Sequence, residues 1–166
     1  KIKVKDGVAL ADPNADILKI AVIERHHGTG NVGLGFVRGF GLAHGALASS
    51  VAHDSHNIIV VGTNDEDMIA AARHVSNLCG GQAVVTNGQV IADLALPIAG
   101  LMSPMTVEEV RDAVDECDEA AHGLGCGLND PFMTMSFLAL PVIPKLKLTD
   151  KGLVDVEKFE IVPLFV

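Results

Sequence analysis

The sequence predicts an α/β fold, a mixed β-sheet with packed helices in a single compact domain, and three observations predict it. Apolar runs at residues 19–25, 46–51 and 58–61 have the length of buried strands. Asn87-Gly88 sits between two alternating runs as a hairpin turn. Segments following Asn64 and Thr106 carry caps and the 3.6-residue periodicity of amphipathic helices. At 166 residues the chain, taken as one domain over 1–166, is long enough for one core.

The first strand, 19–25, leads into Gly28-Thr29-Gly30-Asn31-Val32-Gly33, and residues 36–42 are expected to form a short helix. Strands follow at about 45–52 and 57–62. Thr63 or Asn64 then caps a helix whose acidic first turn, Asp65-Glu66-Asp67, suits the positive end of the helix dipole, and Gly80-Gly81 stops it. Its apolar face runs through Met68, Ala71, Ala72, Val75 and Leu78. Residues 82–86 and 89–94 pair as an antiparallel hairpin. Thr106 caps a helix to about Ala121, with Glu108 and Glu109 in its first turn. Asp130-Pro131 opens a third helix over 132–140, apolar all round and so expected to be buried. The last segment carries a turn at 149–152 and ends in an apolar run, 161–166, of the kind that docks against something.

Composition narrows the function. A formal charge of −9 without a basic patch argues against nucleic acid and anionic membranes, and no apolar run reaches the roughly 18 residues of a membrane span. Three cysteines without C-x-x-C spacing fit a reducing, cytoplasmic setting. Hydrophobic residues make up 49% and aromatics 4%, which predicts further burial against a partner, either another domain or a second copy in a homo-oligomer. The opening Lys-Ile-Lys-Val-Lys-Asp-Gly reads as the tail of something upstream, so a fragment or separate subunit is expected.

Two clusters carry the chemistry. Ser49-Ser50-Val51-Ala52-His53-Asp54-Ser55-His56-Asn57 lies at a hinge between strands and offers imidazoles, a carboxylate, an amide and hydroxyls. His53 and His56 face opposite ways on a continuous strand and converge only if the chain bends. Arg25-His26-His27 ends the first strand, and at most one of its two imidazoles can share a site with the hinge. Each cluster has a plain alternative, in which its polar groups only satisfy backbone at a strand junction. Gly28 to Gly33 matches G-x-G-x-x-G with Asp54 downstream, a dinucleotide fingerprint on paper, yet the glycines that follow weaken the helix it needs. A glycine loop fitting closely against a neighbouring backbone is the other reading. The acidic run from Glu108 to Glu119 reads as a solvated helix face, and Met102, Met105, Met133 and Met135 as core or interface filler.

Residues 19–31, 46–57, Leu96-Pro97-Ile98-Ala99-Gly100-Leu101-Met102-Ser103, Asp130-Pro131-Phe132-Met133-Thr134 and the terminal Val162-Pro163-Leu164-Phe165-Val166 together closely resemble the C-terminal domain of bacterial and archaeal adenine deaminases, in the amidohydrolase superfamily. The resemblance implies hydrolysis of adenine to hypoxanthine and ammonia. It also implies Mn or Fe on an upstream (β/α)8 barrel domain or subunit, which this chain lacks in length, in strand and helix alternation and in the H-x-H pair. On that reading His53, Asp54 and His56 are expected to act in catalysis, and Arg25, His26, His27, Ser49, Ser55 and Asn57 to contact substrate, with no metal ligand assigned here. A stand-alone purine- or metal-binding module, and a nicotinamide- or flavin-binding domain, are the alternatives.

Overall fold

The computed structural model describes residues 2–165. Lys1 of the opening basic run and Val166 of the apolar terminus lie outside the described residues. A hairpin of β1 (Lys3–Lys5) and β2 (Val8–Leu10) precedes the core. The main sheet is built from β3 (Leu18–Ile23), β4 (Val32–Val37), β5 (Ala46–Ser49), β6 (Ile58–Gly62), β7 (Gly81–Thr86) and β8 (Gln89–Ala95), in the order β4-β3-β6-β5-β7-β8. The expected α/β class and single domain hold. In hydrogen bonding, however, the sheet is not mixed, because every pairing in it is antiparallel. Asn87 and Gly88 both take positive φ, as the tight turn between β7 and β8 requires.

The central strands are covered on both faces, which is why they read as unbroken apolar runs. On one face α1 (Asp65–Asn77) lays Met68, Ala71, Ala72 and Val75 on Ala46, Ala48, Val60, Ala83 and Val85. The alanines let helix and sheet approach closely. Asn64 is the cap, its Oδ1 accepting from the Asp67 amide at 2.8 Å, and the buried Asp67 carboxylate accepts from the Gly88 amide at 2.7 Å. Helix start and hairpin turn are thereby fixed together.

The other face packs Leu18, Ile20, Val22, Leu47, Ile59, Val61 and Val84 against α2 (Val107–Gly123), α3 (Pro131–Leu138) and Leu148. Thr106 and Glu109 form a reciprocal capping box at the start of α2. Its acidic residues are exposed except the half-buried Asp118, whose carboxyl burial pushes up. Burial likewise pushes the Cys117 thiol up to about 12. The α3 expectation needs correcting: Phe132 and Met135 are buried, but Met133 and Phe137 lie on the surface. A uniformly apolar sequence has no polar side to tell which face meets the core.

The predicted helix at 36–42 is also absent. Residues 32–37 continue as β4, antiparallel to β3, and the chain then loops. Loop 28–31 therefore opens a strand, which removes the helix N-terminus that a dinucleotide pyrophosphate needs. Its glycines serve close packing instead. A three-stranded sheet of β9 (Leu146–Thr149), β10 (Gly152–Asp155) and β11 (Glu160–Val162) lies against β4 at Gly33 and Gly35. A Cβ on Gly33 would stand 1.8 Å from the Thr149 carbonyl oxygen. We expect Gly33→Ala to lower unfolding free energy in urea titration by about 3 kcal/mol, at the upper end of overpacking costs. Gly123→Ala, which meets nothing within 4 Å, should be neutral or stabilising.

Candidate functional site

Because β3, β5, β6 and β4 are antiparallel, the ends of β3 and β5 and the starts of β6 and β4 fall at one end of the sheet. Loops 24–31 and 50–57 leave from that end and meet there. Loop 24–31 is wound around one carboxylate. Glu24 accepts from the amides of His26, His27 (2.7 Å) and Thr29 (3.0 Å) and from the Thr29 hydroxyl (3.0 Å). The Thr29 amide foremost, helped by the His27 and His26 amides and the Thr29 hydroxyl, holds the Glu24 carboxyl down at about 2 against the opposing effect of desolvation.

Arg25 clamps the second loop. Its Nε donates to the His56 carbonyl at 2.6 Å and its Nη2 to the Ala99 carbonyl at 2.6 Å, while its amide donates to Asn57 Oδ1 at 3.4 Å. The guanidinium lies across Gly100, which has φ +74°, and a Cβ there would come within 2.3 Å of Nη2. Ser50 closes the same knot by donating to the Gly100 carbonyl at 2.6 Å and accepting from the Gly81 amide at 2.8 Å. The turn at 97–101 is thus bound to both loops.

The bend that lets His53 and His56 converge is present. The His53 amide donates to the Ser136 carbonyl at 3.0 Å, the His56 amide to the Ala52 carbonyl at 2.6 Å, and His56 takes φ +51°. The two rings lie 5.8 Å apart, and His53 stacks on Phe137 at 5.0 Å with 4° between planes. Both Nδ1 atoms are buried without a hydrogen-bond partner. Burial foremost, then His53 and the Arg25 charge, lowers the His56 pKa below its ordinary 6.5, so the neutral imidazole is favoured.

His26 reaches the same place, its Nε2 lying 2.8 Å from the Ser55 carbonyl, whereas His27 stands on the exposed outer side of its loop. Asp54 and Ser55 are exposed at the tip of the hinge loop. Asn57 is buried and donates to Asp150 Oδ1 at 3.3 Å, and Asn31 donates to the other oxygen at 3.4 Å. Ser49 is fully enclosed, its hydroxyl accepting from the Val51 amide at 3.0 Å, and so belongs to the sheet rather than the loop surface. Glu24, Phe137, Gly100 and Asp150 were given no role from sequence. Glu24 and Gly100 lie inside runs already singled out, while Asp150 comes from 93 residues beyond Asn57 and carries no local signal.

Among the described residues no three His, Cys, Asp or Glu side chains converge as a metal site. The Mn or Fe implied by the resemblance does not fit these residues, and the arrangement offers hydrogen bonding instead. Fold and site together define an α/β domain that carries an imidazole-bearing loop cluster at one end of an antiparallel sheet.

The family model described as "Adenine deaminase C-terminal domain" matches residues 1–160, and the chain belongs to that family. It is 62% identical over 161 residues to an adenine deaminase of Desulfatibacillum aliphaticivorans, which covers 97% of this chain and 28% of the relative. An adenine deaminase of Oleidesulfovibrio alaskensis is 58% identical with the same coverage. One of Methanothrix thermoacetophila is 56% identical over 98% of this chain and 29% of the relative. The chain therefore spans under a third of the length of these curated relatives.

Removing the clamp tests its electrostatics. Arg25→Ala should cost about 1–3 kcal/mol of stability, the range for hydrogen bonds from a charged donor, and should raise the His56 titration midpoint followed by imidazole proton NMR. Because the folded His56 pKa is depressed, its contribution to stability is full above pH 6.5. It is lost as the pH falls through the lower folded value, so unfolding free energy should decline across that window and decline less in His56→Gln.

Proposed function

We propose that this domain is the substrate-recognition part of an adenine deaminase, in which adenine and water give hypoxanthine and ammonia. The Mn or Fe that activates the water is held by a barrel domain outside this chain, in a cytoplasmic enzyme. Family membership supports the reading, as does the share of each relative's length that lies outside the matched region. Free thiols at Cys79, Cys117 and Cys126 agree with a reducing compartment.

The observation that carries the residue assignment is the pair of imidazoles whose rings lie 5.8 Å apart at the end of the sheet where loops gather. A neutral imidazole has one donor and one acceptor in its plane, and adenine presents ring-nitrogen acceptors beside an amino donor. The depressed pKa keeps His56 neutral near pH 7, which suits recognition of the purine edge better than delivery of a proton to departing ammonia. His53, held flat against Phe137, supplies the second contact. Asp54 and Ser55 at the loop tip, with His26 and His27, line the approach. Arg25 and Asn57 act by holding the loop, and Ser49 by fixing the strand end from which it leaves.

Ammonia release from adenine by the complete deaminase carrying this domain tests the reading. We expect His53→Ala and His56→Ala each to lower kcat/KM by about 10- to 100-fold, the cost of an unmade buried hydrogen bond, mainly through a raised KM. Unchanged kinetics in both variants would leave the cluster a structural knot.

A further inference from the structure

The α1 layer leaves part of its sheet face bare. That helix lies over β5, β6 and β7, while β3 and β4 on the same side carry Ile23, Val32 and Leu34 with no helix above them. The result is a groove of about 960 Å³ between α1 and the sheet edge, bounded also by Val8 of the first hairpin and by Phe165. Val32 is 47% exposed, Leu34 62% and Ile69 51%.

The charges along this groove are largely committed already. Lys19 pairs with Asp65 at 2.6 Å, Glu24 is taken up by loop amides, and Arg25 by the His56 and Ala99 carbonyls, leaving Arg73 at the rim. A floor of valine, leucine and isoleucine without free donors suits a small polar heterocycle poorly and a protein surface well.

We propose that this groove is the seat of the catalytic barrel domain, occupied by an apolar surface of that domain. The inference rests on the reading above that the chain works beside such a domain. Two observations select this occupant over a second copy. About 72% of each relative's length lies outside the matched region, so the matched domain has a large covalently linked neighbour. The groove also reaches loop 24–31, because Glu24, Arg25 and Gly28 line it too. A domain seated there meets loop 24–31, which carries His26 and His27, whereas a second copy would set two equivalent grooves against each other and cover that loop in both copies.

A chimera tests the seat. Residues 1–160 replace the matched region of the Desulfatibacillum aliphaticivorans relative, with a protease site at the junction, and the cut enzyme is followed by sedimentation. The parts should stay together after cleavage. Leu34→Glu and Ile69→Glu should each weaken their association at least tenfold, while Val107→Glu, at an 82% exposed position outside the groove, should not. Circular dichroism melting of each variant separates lost docking from lost folding, and either groove variant that melts like the parent suffices. Association unaffected by both groove variants would overturn the proposal. So would a homodimer of the 166-residue chain that Leu34→Glu alone converts to monomer. Ammonia release by the uncut chimera reports separately on function: groove-dependent association without deamination supports the seat and removes the functional reading.

Discussion

The constraint on which the structure turns is that the central strands of the six-stranded sheet are buried on both faces. Strands β5 and β6 have no exposed residue, so their faces present no chemistry, and the polar groups of the hinge emerge only where these two strands end. Antiparallel pairing then gathers the end of β3, the end of β5 and the start of β6 at one edge of the molecule. Two sequence-distant polar clusters meet because the apolar strands between them leave no other arrangement. The alanine-rich face under α1 serves the same end, since close helix approach seals that side of the central strands.

Polar loops at a sheet end are ordinarily mobile, and here they are held by buried or committed hydrogen bonds rather than by packing alone. Glu24 winds its own loop, Arg25 joins it to the hinge and to the turn at 97–101, and Asp150 ties Asn31 and Asn57 to the accessory sheet. These three residues tie the imidazole-bearing loops to one another and to the neighbouring elements. Such a frame lowers the ordering cost of any contact these loops make. Glu24 and Arg25 also border the apolar groove.

Much of this was legible in the chain. The α1 and α2 boundaries and the hairpin at Asn87-Gly88 follow from caps, turn residues and alternation, all of which are local codes. Local codes failed where the deciding contact was distant. The glycines after Gly28 resemble a phosphate loop until β9 is seen packed on Gly33, and α3 offers no polar face from which to infer that Met133 and Phe137 remain outside. Ser49, expected to contact substrate, is fully enclosed because β5 is covered on both faces.

By itself the sequence determined the α/β class, the principal helices, the polar hinge and the family to which the chain belongs, because these are recorded in residue type and spacing. Tertiary structure decided that the sheet is antiparallel throughout, that Arg25 clamps rather than reaches outward, that Asp150 joins the site, and that one stretch of sheet stands uncovered. Those features depend on which surfaces meet across tens of residues, and pairing between distant strands is set by the packing of the whole rather than by the pattern of any one segment.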